Sequence, residues 1–107
     1  EMLAIWKLLY EHDADIVLSG HEHHYERFAP MNPDFELDTE RGIREFVVGT
    51  GGGTPHPFED EPLPGSKVRI TDVHGVLELE LQPEAYEWRF VGSDGSVLDH
   101  GAGSCHR

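Results

Sequence analysis

Residues 75–91 constrain the fold of this chain more than any other stretch. In GVLELEL, Leu77, Leu79 and Leu81 alternate with Glu78 and Glu80; in AYEWRFV, Tyr86, Trp88 and Phe90 alternate with Glu87 and Arg89. Successive side chains of an extended strand point to opposite faces, so a period of two packs one face and wets the other. A short turn containing Pro83 joins the two runs. The pattern predicts a β-hairpin with its leucines and aromatics inward and its charges in water.

The other elements follow from local signals. Residues 2–12, MLAIWKLLYEH, place Leu3, Trp6 and Tyr10 with Leu8 and Leu9 on one broad face, which predicts a helix closed by His12 and Asp13. ADIVLSG is a short β-branched apolar run that ends on a glycine, the pattern of a buried strand. Helix, tight turn and buried strand make half of an α/β unit. HYERFAP reads as extended, MNPDFELDTERG as a polar loop punctuated by Pro33, and IREFVVGT as a second strand. The glycine- and proline-dense GTGGGTPHPFEDEPLPG leaves no room for regular structure. KVRITD is a short strand, and the tail GSDGSVLDHGAGSCHR a turn, a last short strand and a glycine-rich end. No internal repeat is present. The fold class is α+β, mainly β with one N-terminal helix.

At 107 residues the chain can build one modest core. Its 21 acidic against 8 basic residues give a net charge of −13, which repels nucleic acid and anionic membranes, so neither is an expected partner. No apolar run approaches the ~20 residues that span a bilayer. The lone Cys105 excludes an internal disulfide framework and a cysteine-based zinc site. The chain opens on Glu1 with a periodic segment rather than a basic start and an apolar run, so no signal peptide is read there. Opening on Glu rather than Met points to a longer parent chain.

The chemistry concentrates in GHEHHYER, residues 20–27. Neutral imidazole is the commonest side-chain ligand for borderline divalent metals. A strand that ends in a turn fixes backbone direction, and Gly20 allows a close approach or an unusual φ. On extended backbone His21 and His23 would point the same way and share a pocket. The competing reading is a solvated His-rich loop, and a motif as short as His-x-His does not by itself choose between them.

GHEHHYER after ADIVLS resembles the last metal-binding motif of the calcineurin-like metallophosphoesterases, and most closely the purple acid phosphatase branch. FVVGTGG, the hairpin and the closing SCH are also similar to the C-terminal portion of bacterial members. The resemblance implies that residues 1–107 form the C-terminal segment of a four-layer αββα sandwich. It implies a hydrolase with two divalent or trivalent cations (of the Fe, Zn or Mn class) that cleaves phosphate esters. By position, His21 and His23 would each bind one metal. Gly20, Tyr25, Glu26 and Arg27 would hold the motif by packing and hydrogen bonds.

The family's Asp pair, Asn-His pair and further His have no counterpart here, and two neutral imidazoles cannot offset four or more positive charges. The segment is therefore expected to lack activity alone, to need hold no metal itself, and to associate with the missing N-terminal half or with itself. Family resemblance favours a secreted or periplasmic location. The alternative is a non-catalytic β-rich interaction module or single-zinc-binding module. ITDVHG imitates the family's first motif, but it follows Gly-His-x-His and runs into the hairpin, so Asp72 and His74 read as ordinary polar residues at a strand edge. GTGGGTP lacks the Lys-Ser/Thr of a P-loop and reads as a loop bordering the cleft. His56 reads as a solvated loop residue, His12, His100 and His106 as surface residues, and Trp6 and Trp88 as packing.

Overall fold

The computed structural model describes residues 2–54, 58 and 61–106, with side chains from residue 4 onward. Helix α1 (Met2–Glu11) leads into β1 (Ile16–Ser19), β2 (Tyr25–Phe28), β3 (Arg44–Val48) and β4 (Ser66–Ile70); β5 (Gly75–Leu81), β6 (Ala85–Gly92) and β7 (Val97–Ser104) follow. The class is the expected one: among the described residues there are one helix and two sheets. No helix among the described residues is long and apolar enough to cross a membrane.

The first four strands form one sheet in the order β1-β3-β2-β4, and the last three form a second in the order β5-β6-β7. In the first sheet β1 runs parallel to β3, whereas β2 is antiparallel to β3 and to β4. The second sheet is an antiparallel meander that sets Glu78 opposite Arg89, where the two side chains pair at 3.2 Å on the wet face. The sheets pack face to face through aromatic rings, whose large apolar area dominates a small core. Tyr25 stacks on Phe90 at 4.1 Å, and Phe46 meets Trp88 edge-on at 5.4 Å. Ile16, Val48, Leu77 and Leu79 surround this cluster.

Helix α1 lies on the other face of the first sheet. There Trp6, Phe28, Met31, Ile43 and Glu45 line a cavity of about 150 Å³. Burial pushes the Glu45 carboxyl above its ordinary pKa, and nearby Glu26 adds to the shift against a hydrogen bond from Ser19. Leu3, counted on the helix face from sequence, lies outside the described side chains.

Four expectations are corrected. The run ADIVLSG is not a buried strand: β1 occupies the edge of its sheet, and Leu18 is 57% exposed. Its apolar character fits a strand flanked on both sides, but among the described residues only β3 pairs with it. Leu81 does not join the packed face; it is 73% exposed at the far end of edge strand β5. The tail is not a short strand followed by a glycine-rich end, since β7 runs through the glycines and pairs with β6 up to Ser104. His106 is not a surface residue. Its side chain is 9% exposed, its Nε2–H donates to the Gly42 carbonyl at 2.7 Å, and its backbone N–H donates to Asp15 at 2.6 Å.

Candidate functional site

Because β1 and β3 are parallel, their carboxyl ends open on the same rim, with Ser19 beside Val47. In sheets with parallel strands this is the rim at which ligands bind. From β1 the chain passes through Gly20 and the bends at 21–24 before it returns as β2. From β3 it passes through Gly49, Thr50 and the three glycines 51–53.

The two rim segments press on each other at Gly49. A Cβ there would lie 1.9 Å from the Glu22 carbonyl oxygen, so only glycine lets the end of β3 meet the histidine turn. Gly20 is different: an added Cβ would meet nothing closer than the Val48 carbonyl at 3.7 Å. The unusual backbone sits one residue later, at His21, with φ of 76°. A non-glycine residue in the left-handed region carries strain that surrounding structure must hold. The segment is thus bent rather than extended, and the alternation argument that paired His21 with His23 does not apply to it.

His23 is held from outside the motif. Its Nδ1 lies 2.8 Å from the Thr54 carbonyl oxygen. A carbonyl oxygen only accepts, so Nδ1 carries a proton, and in the neutral ring the lone pair is then on Nε2. A Cβ on Gly53 would come within 2.8 Å of three atoms of the His23 ring, so the glycine loop lies directly against the imidazole. His21 is exposed on the rim. His24 turns inward, with Nε2 3.8 Å from Glu26 and its ring 4.2 Å from that of Phe58.

The residues after the histidines tie the turn to both sheets. The Tyr25 hydroxyl donates to Asp99 at 2.5 Å, and Arg27 reaches the same carboxylate through Nε at 2.8 Å and a second nitrogen at 3.2 Å. Burial works against the charge of Asp99, but hydrogen bonds from Arg27 and Tyr25 outweigh it and hold the carboxyl below its ordinary pKa. Burial, then the bond to Asp99, pushes the Tyr25 hydroxyl well above the usual range. Glu26, 8% exposed, accepts from Ser66 at 2.6 Å and pairs with Arg69 at 3.3 Å.

Asp99 was not legible as a partner of the motif, 72 residues away in a stretch without alternation. His74, read as an ordinary polar residue, places Nε2 2.9 Å from the Gly53 carbonyl and so reaches the loop that seats His23. His56 lies outside the described residues.

His23, with Nδ1 bonded to a backbone carbonyl, has the arrangement that orients a metal-ligating imidazole. Among the described residues no group of three or more His, Cys, Asp or Glu side chains is placed to hold a metal ion. Closed or catalytic centres take at least three protein ligands, so the described residues of this rim do not make a whole metal site.

No protein-family model and no curated protein sequence matches the chain. Among solved structures, the purple acid phosphatase PPD1 isolated from yellow lupin (Lupinus luteus) seeds is similar to it, with a TM-score of 0.82 and 24% sequence identity. The match covers 95% of this chain but 19% of that one. The chain therefore has the fold of a mainly β part of a purple acid phosphatase, and spans about a fifth of that protein's length.

Proposed function

We propose that this chain is the C-terminal part of a dinuclear metal-dependent phosphoesterase, to which it contributes His21 and His23 as metal ligands. The observation that carries the reading is the seat of His23. On a fold shared with a purple acid phosphatase, at the carboxyl-end rim of β1 and β3, its Nδ1–H is engaged by Thr54 and its lone pair is on Nε2.

When bound, the cations supply a nucleophilic hydroxide at neutral pH and Lewis-acid stabilisation of the phosphoryl oxygens. The part played by this chain is positional. Thr54 fixes the His23 tautomer, and Gly49 lets the turn approach β3. Tyr25 and Arg27 lock the departing strand to Asp99 of the second sheet. The carboxylate ligands belong to the remainder of the parent chain, the substrate is a phosphate ester, and export to the periplasm or cell exterior belongs to the same proposal.

The test uses the full-length natural protein. Metal analysis should return two ions per chain, and p-nitrophenyl phosphate should be hydrolysed. His21→Ala and His23→Ala should each remove at least one ion and nearly all turnover, while residues 1–107 alone should be inactive. A full-length protein without metal, or variants with undiminished uptake, would leave the alternative of a non-catalytic β-rich module.

A further inference from the structure

Two successive backbone carbonyls of the glycine loop each accept a hydrogen bond from an imidazole. Thr54 accepts from His23 Nδ1 at 2.8 Å, and Gly53 accepts from His74 Nε2 at 2.9 Å. The two histidines reach the loop from different places. His23 is in the turn between β1 and β2, and His74 is on the connection from the first sheet to the second.

The mount of His74 is rigid. Its own carbonyl accepts from the Ser93 N–H at 2.8 Å. The next residue, Gly75, exchanges two bonds with Thr50: its N–H donates to the Thr50 carbonyl at 3.0 Å, and its carbonyl accepts from the Thr50 hydroxyl at 2.9 Å. Thr50 is 1% exposed. The loop it reaches is of the opposite kind. Gly51 and Gly52 are exposed, and a Cβ on either would meet nothing within 4 Å. A glycine run of this sort pays a large entropy cost to hold one conformation, so a bond from a fixed donor decides where its carbonyls point.

We infer that His74 is a positioning residue for His23. Its Nε2–H holds the Gly53 carbonyl, which sets the neighbouring Thr54 carbonyl to accept the Nδ1 proton of His23. That selects the tautomer whose Nε2 can bind a metal. The metal arm of this inference rests on the function proposed above; the tautomer arm rests on the geometry alone.

The experiment uses the full-length protein with His74→Ala and His74→Gln. The glutamine amide nitrogen falls near the position of histidine Nε2 and can donate to the same carbonyl. Imidazole ¹⁵N NMR of the metal-free protein at pH 8 reads the tautomer, and chelator competition with Zn²⁺ reads affinity. Wild type should show His23 protonated on Nδ1. His74→Ala should shift His23 toward the Nε2–H form and weaken Zn²⁺ binding about 10- to 100-fold, the usual effect of losing an orienting partner. His74→Gln should restore both readouts to near wild type. An unchanged His23 tautomer in His74→Ala overturns the inference, as does a His74→Gln variant no better than His74→Ala. If wild type takes up no metal, the proposed function fails and the tautomer arm alone decides the role of His74.

Discussion

Asp99 shows how one side chain can govern the region around the histidine turn. Its carboxylate, 8% exposed, binds Tyr25 and Arg27 from the strand that leaves the turn. Both Arg27 and Arg44 also lie over the Trp88 ring, at 5.0 and 4.6 Å, so the charges sit among the core aromatics. Breaking a fully buried pair costs about 3–5 kcal/mol. Arg27 keeps 17% exposure and solvent screens part of the interaction, so Asp99→Asn should cost about 2 kcal/mol at pH 7. The sign of the pH dependence follows from linkage. A carboxyl whose folded pKa is lowered adds stability above its unfolded value of about 3.9, and loses it as pH falls through the folded pKa. A tyrosine whose folded pKa is raised adds stability that is full below about 10 and declines as pH rises beyond it. Urea midpoints should therefore differ most between wild type and Asp99→Asn on the plateau, and converge at low pH as Asp99 protonates. Equal midpoints at pH 7 would show the carboxylate to be idle. The sequence revealed Tyr25, Glu26 and Arg27 because they stand in a recognisable string. Asp99 and Thr54 were invisible as partners because each meets the motif across a long loop or between sheets, and His74 because it reaches only the loop that seats His23.

At the scale of elements, strands were legible where side chains filled both faces and hidden where glycine did. Alternation exposed β5 and β6 because Leu77 and Leu79 of the one and Tyr86, Trp88 and Phe90 of the other point into the core. In β7 the inward positions opposite Trp88 and Tyr86 are Gly101 and Gly103, so no alternation exists to be read. The glycines are there for volume: a Cβ at Gly101 would lie 2.3 Å from the Trp88 ring, and one at Gly103 2.5 Å from Tyr86. The two rings occupy the space that the facing side chains of β7 would need. Gly101→Ala should accordingly destabilise by about 1–3 kcal/mol through overpacking. Gly51→Ala, where an added Cβ meets nothing, should stay within about 0.5 kcal/mol of wild type. Thermal midpoints of the two variants provide the check, and a Gly101→Ala protein as stable as Gly51→Ala would mean that β7 does not lie against Trp88. The helix and β1 were legible as elements, but their burial was not. Leu8 and Leu18 carry the residue types of an interior and are each 57% exposed, because sequence pattern records what an element is suited to pack against, not what is beside it.

At the scale of the whole molecule, the two sheets share an open side. Leu18 of edge strand β1, Val48, and Val76, Leu77 and Leu79 of edge strand β5 line a groove between the sheets. Leu18 and Val76 are each 57% exposed. An apolar edge strand with unpaired backbone groups is a template for another strand, and proteins that leave one open usually guard it with charge, proline or a bulge. None of the four residues of β1, Ile-Val-Leu-Ser, is a guard of that kind. The function proposed here accounts for the edge by having the rest of the parent chain pair with it. Among the described residues nothing but β3 pairs with β1, so the edge of the 107-residue chain on its own should recruit a second copy. Sedimentation of residues 1–107 should show concentration-dependent association, and Leu18→Lys, which puts a charge on the exposed edge, should shift the protein toward monomer. The same substitution in the full-length protein should instead lower stability, because there the lysine would be buried against a neighbouring strand. Association of the short chain that ignores Leu18→Lys would place the contact elsewhere. A full-length protein indifferent to it would mean that nothing covers β1, and that the rim carrying His21 and His23 is not completed from that side.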